Sequence, residues 1–131
     1  MTPLGQRLRE MRASRGTSLK DMAKALRVSS AYLSALEHGH RGKPNFALMQ
    51  RIIHYFGVIW DEAEELQRLV EISDPRIVVD TAGMSPQATE FANRVAQEIG
   101  RLTPDDLAFF KSELDRRLRA AQPGRPAVAP Q

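Results

Sequence analysis

Apolar positions recur through the first 72 residues at the spacing of single helical faces, and cap residues punctuate them. Leu4, Leu8 and Met11 stand at i, i+4 and i+7. Thr2 is placed to cap this first helix with Pro3 as its first residue, and Gly16 ends it. Ser18 then precedes LKDMAKAL, whose apolar face is Leu19, Met22, Ala23 and Leu26, and Asp21 supplies the acidic half of an expected capping box. After the short break RVS, Ser29 caps SAYLSALEH, and Gly39 closes it where a left-handed residue is favoured. Beyond the loop HGHRGKPN, Asn45 caps FALMQRIIHYF. Its stripe is Leu48, Ile52 and Phe56, flanked by Met49 and Ile53, and Gly57 terminates it. A fifth helix, about Trp60 to Ile72, is predicted with Trp60, Ala63, Leu66 and Leu69 on one side. Its acids Asp61, Glu62, Glu64 and Glu65 suit the positive end of the helix dipole.

The pattern then changes. SDP breaks the helix, and RIVVDT, Arg76 to Thr81, is the chain's one β-branched run and reads as a short extended segment. AGMSP is a turn. Ser85 and Pro86 open a sixth helix bearing Phe91, Val95 and Ile99; Thr103 and Pro104 open a seventh bearing Leu107, Phe110, Leu114 and Leu118. The end, rich in Pro, Ala and Gly, reads as a disordered tail. The fold class is therefore all-α. It comprises a five-helix domain over residues 1–71, a linker over 72–84 holding the extended segment, a helical hairpin over 85–119 and the tail over 120–131.

Charge sharpens this division. The 131 residues carry a net charge of only +3. Residues 1–57 hold ten basic against three acidic side chains, a net +7, whereas residues 58–131 hold nine against thirteen, a net −4. A basic head on an acidic body suits a polyanion partner for the head. With no cysteine, disulfide frameworks, thiolate zinc sites and cysteine nucleophiles are excluded. His38 and His40 form a His-x-His without carboxylates at ligand spacing, and His54 reads as structural. Asp105–Asp106 and Glu64–Glu65 read as helix-start or surface acids. With no phosphate loop or nucleophile arrangement, neither catalysis nor a metal or cofactor is expected. The start of the chain lacks a signal-like apolar core, and no apolar run approaches the roughly 20 residues that span a bilayer. A cytoplasmic protein without membrane contact is expected.

Two short helices joined by a three- or four-residue turn, the second opening with Ser-Ser, match a helix-turn-helix. Ala23 sits where the helices cross, Val28 plugs the turn, and Leu33 and Leu36 anchor the second helix. An ordinary αα-hairpin in a bundle shares that spacing. The run LGQRLREMRASRGTSLKDMAKALRVSSAYLSALEHGHRGKPNFALMQRIIHYFGVIWDEAEEL, about residues 4–69, resembles the Cro/phage-repressor-like or XRE family. The resemblance implies a sequence-specific, usually dimeric, DNA-binding transcriptional regulator. Its recognition helix would be Ser29 to His38, with base-contacting positions at Ser30, Ala31, Ser34 and Ala35. Two positions depart from the family pattern. Leu19 stands where Gln commonly touches a phosphate, and Arg27 stands where Gly is favoured in the turn.

No Arg or Asn lies on that helix, so the forked readers worth about 1–3 kcal/mol each are missing. Ser30 and Ser34 can hydrogen-bond base edges, Ala31 and Ala35 can touch thymine methyls, and Tyr32 either reaches DNA or packs on a neighbouring helix. Affinity is then expected to come mainly from phosphates, with specificity shared among methyl contacts, water and DNA shape. The expected phosphate set is Ser18 and Ser29 at helix starts, Lys20 and Arg27 beside the motif, His40, Arg41 and Lys43 in the loop, and Asn45. Arg9, Arg12 and Lys24 are read as solvated.

One helix-turn-helix touches one half-site, and specific binding generally needs two about 34 Å apart. Phe91, Val95, Ile99, Leu107, Phe110, Leu114 and Leu118 are the expected homodimer interface, making the chain a dimeric repressor of a pseudo-palindromic operator. Two alternatives stand beside this. The C-terminal helices could fold back on the head of a monomer, or the acidic half could bind a protein partner, as in an antitoxin that regulates its own promoter.

Overall fold

The computed structural model describes residues 1–121, so most of the expected disordered tail lies outside the described residues. The described chain is all-α: α1 Pro3–Ser14, α2 Leu19–Leu26, α3 Ser30–His38, α4 Phe46–Phe56, α5 Asp61–Glu71, α6 Pro86–Glu98, a 3₁₀ turn Ile99–Arg101 and α7 Pro104–Ala120. Its described residues divide into two compact units, Met1–Ile77 and residues 78–121. The cap residues act as their types require: Thr2, Ser18, Ser29, Asn45, Ser85 and Thr103 each accept a backbone N–H of the helix they start.

In the first unit the five apolar stripes meet in one core. Leu4 and Leu8 of α1 join Met22, Ala23 and Leu26 of α2, Leu33 and Leu36 of α3, Leu48, Met49, Ile52 and Phe56 of α4, Val58, and Leu66 and Val70 of α5. The α1–α3 crossing is unusually close. A Cβ on Gly5 would lie 2.1 Å from the Glu37 carbonyl oxygen, so only glycine fits there. The side chain of that same Glu37 is buried, 1 % exposed. Both its carboxylate oxygens accept from Arg12 Nη2, at 3.0 and 3.3 Å. Arg12 is thus not the solvated cation expected from sequence: its helix face turns it onto a carboxylate 25 residues away.

Other basic and polar side chains finish helix ends. The Arg15 guanidinium donates to the carbonyls of Tyr55 and Phe56 at the end of α4 and lies 5.0 Å from the Phe56 ring centre. Arg51 Nε donates to the Leu26 carbonyl at 3.1 Å, joining α4 to the end of α2. Beyond α5, buried Ser73 accepts the Leu4 N–H at 2.9 Å and donates to the Leu69 carbonyl. The chain after α5 is thereby fastened to the start of α1.

Several expectations need correction. Trp60 precedes α5 at φ +54° and is 80 % exposed, so the buried face is Leu66 and Val70 with Ala63 and Leu69 at its margin. That positive φ takes Trp60 off the helical screw, so counting it into the stripe fails. Ser18 accepts the Asp21 N–H, but the return half of that capping box is not made. His54 faces solvent. The β-branched run forms no strand: Ile77, Val78 and Val79 lie exposed, and no strand occurs among the described residues. β-branched residues favour a strand only where a neighbouring strand supplies the ladder.

In the second unit the helix starts are well made. Ser85 accepts from the Ala88 N–H, and Thr103 and Asp106 form a reciprocal capping box at 3.1 and 2.9 Å. Neither α6 nor α7 buries a side chain. Phe91, Val95, Leu107, Phe110, Leu114 and Leu118 stand 38–70 % exposed. Ile99, expected on the sixth helix, opens the 3₁₀ turn after it and is also exposed.

Candidate nucleic-acid interface

The turn between α2 and α3 fixes the site. Arg27 ends α2 at φ +62°, ψ +40°, the left-handed conformation that the family's glycine would take without cost. A non-glycine residue there costs about 1–2 kcal/mol. The Val28 N–H closes the turn onto the Ala23 carbonyl at 3.0 Å, and its side chain packs against the core. Leu19 is likewise half-buried against that core, so packing takes up the position where the family resemblance implies a phosphate-touching polar side chain.

α3 is divided along its length. Leu33, Leu36 and Glu37 are buried; Ser30 and Ala31 are exposed, and Ser34 and Ala35 are half-buried on the same side. The four positions implied by the family resemblance thus share one solvent-facing surface of small side chains. His38 completes that surface, four residues on from Ser34. Its Nδ1 meets the Ser34 carbonyl at 2.8 Å, and its ring stacks with that of His40 at 6.5 Å between centres. The i, i+4 spacing from Ser34 is the sequence signal for His38 on this face, and the His-x-His pattern obscures it. Tyr32 lies at the flank, half-buried against the core.

The cations around this face are in different states. Lys20, Arg27, His40 and Arg41 are exposed. The Arg41 guanidinium lies 5.6 Å from the Tyr32 ring centre. Lys43 Nζ lies 3.2 Å from Glu71 Oε2 in an exposed ion pair. The oxygens of Ser18, Ser29 and Asn45 already accept N–H groups, from Asp21, Tyr32 and Leu48, at 3.0, 3.0 and 2.8 Å. What these residues still offer a phosphate is hydroxyl or amide donors and nearby backbone N–H groups. Elsewhere on the unit, hydrogen bonding and charge from Arg7 hold the Glu65 carboxyl below its ordinary range. That pair joins α1 to α5.

The profile of a family described as a helix-turn-helix domain matches residues 3–69, from the start of α1 to within the last turn of α5. The chain belongs to that family. This helix-turn-helix regulator is 36 % identical over 104 residues to the HTH-type transcriptional regulator DdrOP3 of Deinococcus deserti, covering 78 % of this chain and 73 % of the relative. It is 38 % identical over 52 residues to RghRB of Bacillus subtilis, named as an uncharacterized HTH-type transcriptional regulator, covering 40 % of this chain and 37 % of the relative. No solved structure gives a significant match. The regulator is thus a DNA-binding protein of the helix-turn-helix class, consistent with the XRE type. No helix among the described residues is long and apolar enough to cross a membrane.

Proposed function

We propose that this regulator is a two-fold dimeric repressor of a pseudo-palindromic operator. The Ser29 end of α3 from each protomer enters the major groove, and dimer occupancy blocks transcription. The observation that carries this is the division of α3: one side is buried to the last leucine, and the other presents only Ser30, Ala31, Ser34, Ala35 and His38. Small side chains let a helix backbone sit deep in the groove, leaving readout to methyl contacts, water and DNA shape. Grip comes from Lys20, Arg27, His40, Arg41 and Lys43 with the N–H groups behind Ser18, Ser29 and Asn45. The second copy is inferred from the other unit, whose apolar row from Phe91 to Leu118 stands exposed among the described residues.

In-vitro selection of bound duplexes tests this reading. It should return two inverted half-sites about 34 Å apart, and sedimentation at micromolar protein should give a dimer. A single half-site together with a monomer, with and without DNA, contradicts it. Ala31→Asn should change the preferred base at one position per half-site more than it changes total affinity. An unaltered motif would show that this side of α3 does not face the bases.

A further inference from the structure

We propose that Tyr32 is a positioning residue that holds the Arg41 guanidinium against the flank of the recognition helix, so that this loop cation meets the DNA backbone already placed. The proposal rests on the DNA-facing reading of the loop given above and says how that loop achieves its grip. Arg41 lies between Gly39, at φ +81°, and Gly42, in a stretch without helix until Phe46. Such a segment leaves a long side chain free to sample many directions. Among the described residues Arg41 has no carboxylate partner and no hydrogen bond. Its one specific contact is the Tyr32 ring, at 5.6 Å from guanidinium carbon to ring centre.

The ring is well suited to that task. Tyr32 packs against the core, so its aromatic plane is fixed to α3. Tyr32 lies in the first turn of α3, so the contact joins the loop cation to the Ser29 end of that helix. A planar guanidinium stacks on an aromatic face and keeps its edge donors free for phosphate oxygens. Lys43 is in the opposite state, since it must first release Glu71. Two neighbouring cations therefore differ: one is prepared for a phosphate and the other is occupied.

The test uses the full chain and a mixed-sequence duplex, with dissociation constants measured over a series of salt concentrations by fluorescence anisotropy. Arg41→Ala should weaken binding and lower the salt slope by about one unit. Tyr32→Leu should weaken it about two- to five-fold, the worth of an exposed cation–π contact. In the Arg41→Ala background the same change should cost nothing more. Tyr32→Phe keeps the ring and should bind as the parent does. Arg41→Lys keeps the charge but not the plane, and should lose two- to five-fold at an unchanged slope. That variant leaves the core side chain intact, so parent-like affinity for Arg41→Lys overturns the proposal even if Tyr32→Leu unfolds. The proposal is overturned if Tyr32→Phe loses as much as Tyr32→Leu, which would assign a DNA contact to the hydroxyl. It is equally overturned if the Tyr32→Leu loss persists without Arg41. Should Arg41→Ala leave affinity and slope untouched, the DNA-facing reading of the loop itself has failed.

Discussion

The two units of this regulator place their stability in different terms. The first has five helices of 8 to 12 residues, short enough to be marginal alone, yet every apolar stripe ends in a shared core. The second has the longest helix, at 17 residues, and the one reciprocal capping box among the described residues, with nothing buried behind either helix. Caps decide where a helix begins; burial decides whether it persists. The most drastic test is to separate them. A chain of residues 1–77 should unfold cooperatively on heating, by circular dichroism. A peptide of residues 78–121 should lose most of its helicity when dilute and regain it as concentration rises. A non-cooperative head, or a peptide whose helicity ignores concentration, breaks the comparison.

Within the head, the closest point of the core predicts the largest single-residue effect. Gly5→Ala sets a methyl 2.1 Å from the Glu37 carbonyl oxygen and 2.7 Å from its Cα and carbonyl carbon. All three are backbone atoms, so no side chain can swing aside and α1 must part from α3. The cost should exceed about 4 kcal/mol, a range reached only by core disruption. Denaturant unfolding of the full chain measures it. Glu37→Gln should cost less, about 3 kcal/mol, because it leaves Arg12 without its counter-charge in a site where the Arg12 Nε already lacks a partner. If either change melts the helices of the second unit along with the head, the two units do not unfold independently.

What could be read in the sequence divides along the same line. The six caps are local signals, and each stood where Ser, Thr or Asn preceded an apolar stripe. The core of α2, α3 and α4 followed from spacing alone. The α1–α3 contact did not: Gly5 looks like any glycine in a helix, and Arg12 and Glu37 are ordinary charges until a crossing brings them together. Trp60 failed for a backbone reason, since a stripe count assumes a helical φ that it does not have. Ser73 carries no local signal, because its partners, Leu4 and Leu69, belong to two different helices. At the candidate interface the spacing of Leu33 and Leu36 marks the buried side of α3, whereas the choice of Ser30, Ala31, Ser34 and Ala35 rests on the family resemblance. The pairings of Arg41 with Tyr32 and of Lys43 with Glu71 were not legible, because a loop's direction is set by tertiary contacts.

The smallest expected effect concerns acid. The Asp106 carboxyl is held below its ordinary value first by the Thr103 backbone N–H and then by its hydroxyl contact, both in the capping box of α7. A depressed folded value means that the carboxylate stabilises the helix at neutral pH. That contribution is lost as the pH falls below about 4, through the folded value. Glu113, held down by Arg116 and Arg117 further along α7, follows the same sign. Because α7 buries no side chain among the described residues, the consequence should be fraying at its start rather than cooperative unfolding of the chain. Asp106→Asn should remove the part of the acid response that belongs to the cap while Glu113 continues to titrate. Amide exchange at the first turn of α7, followed from pH 6 to about pH 3 in both proteins, separates the two. If the first turn of α7 and the core of the head lose protection at the same pH, the second unit shares the stability of the first and the contrast between them disappears.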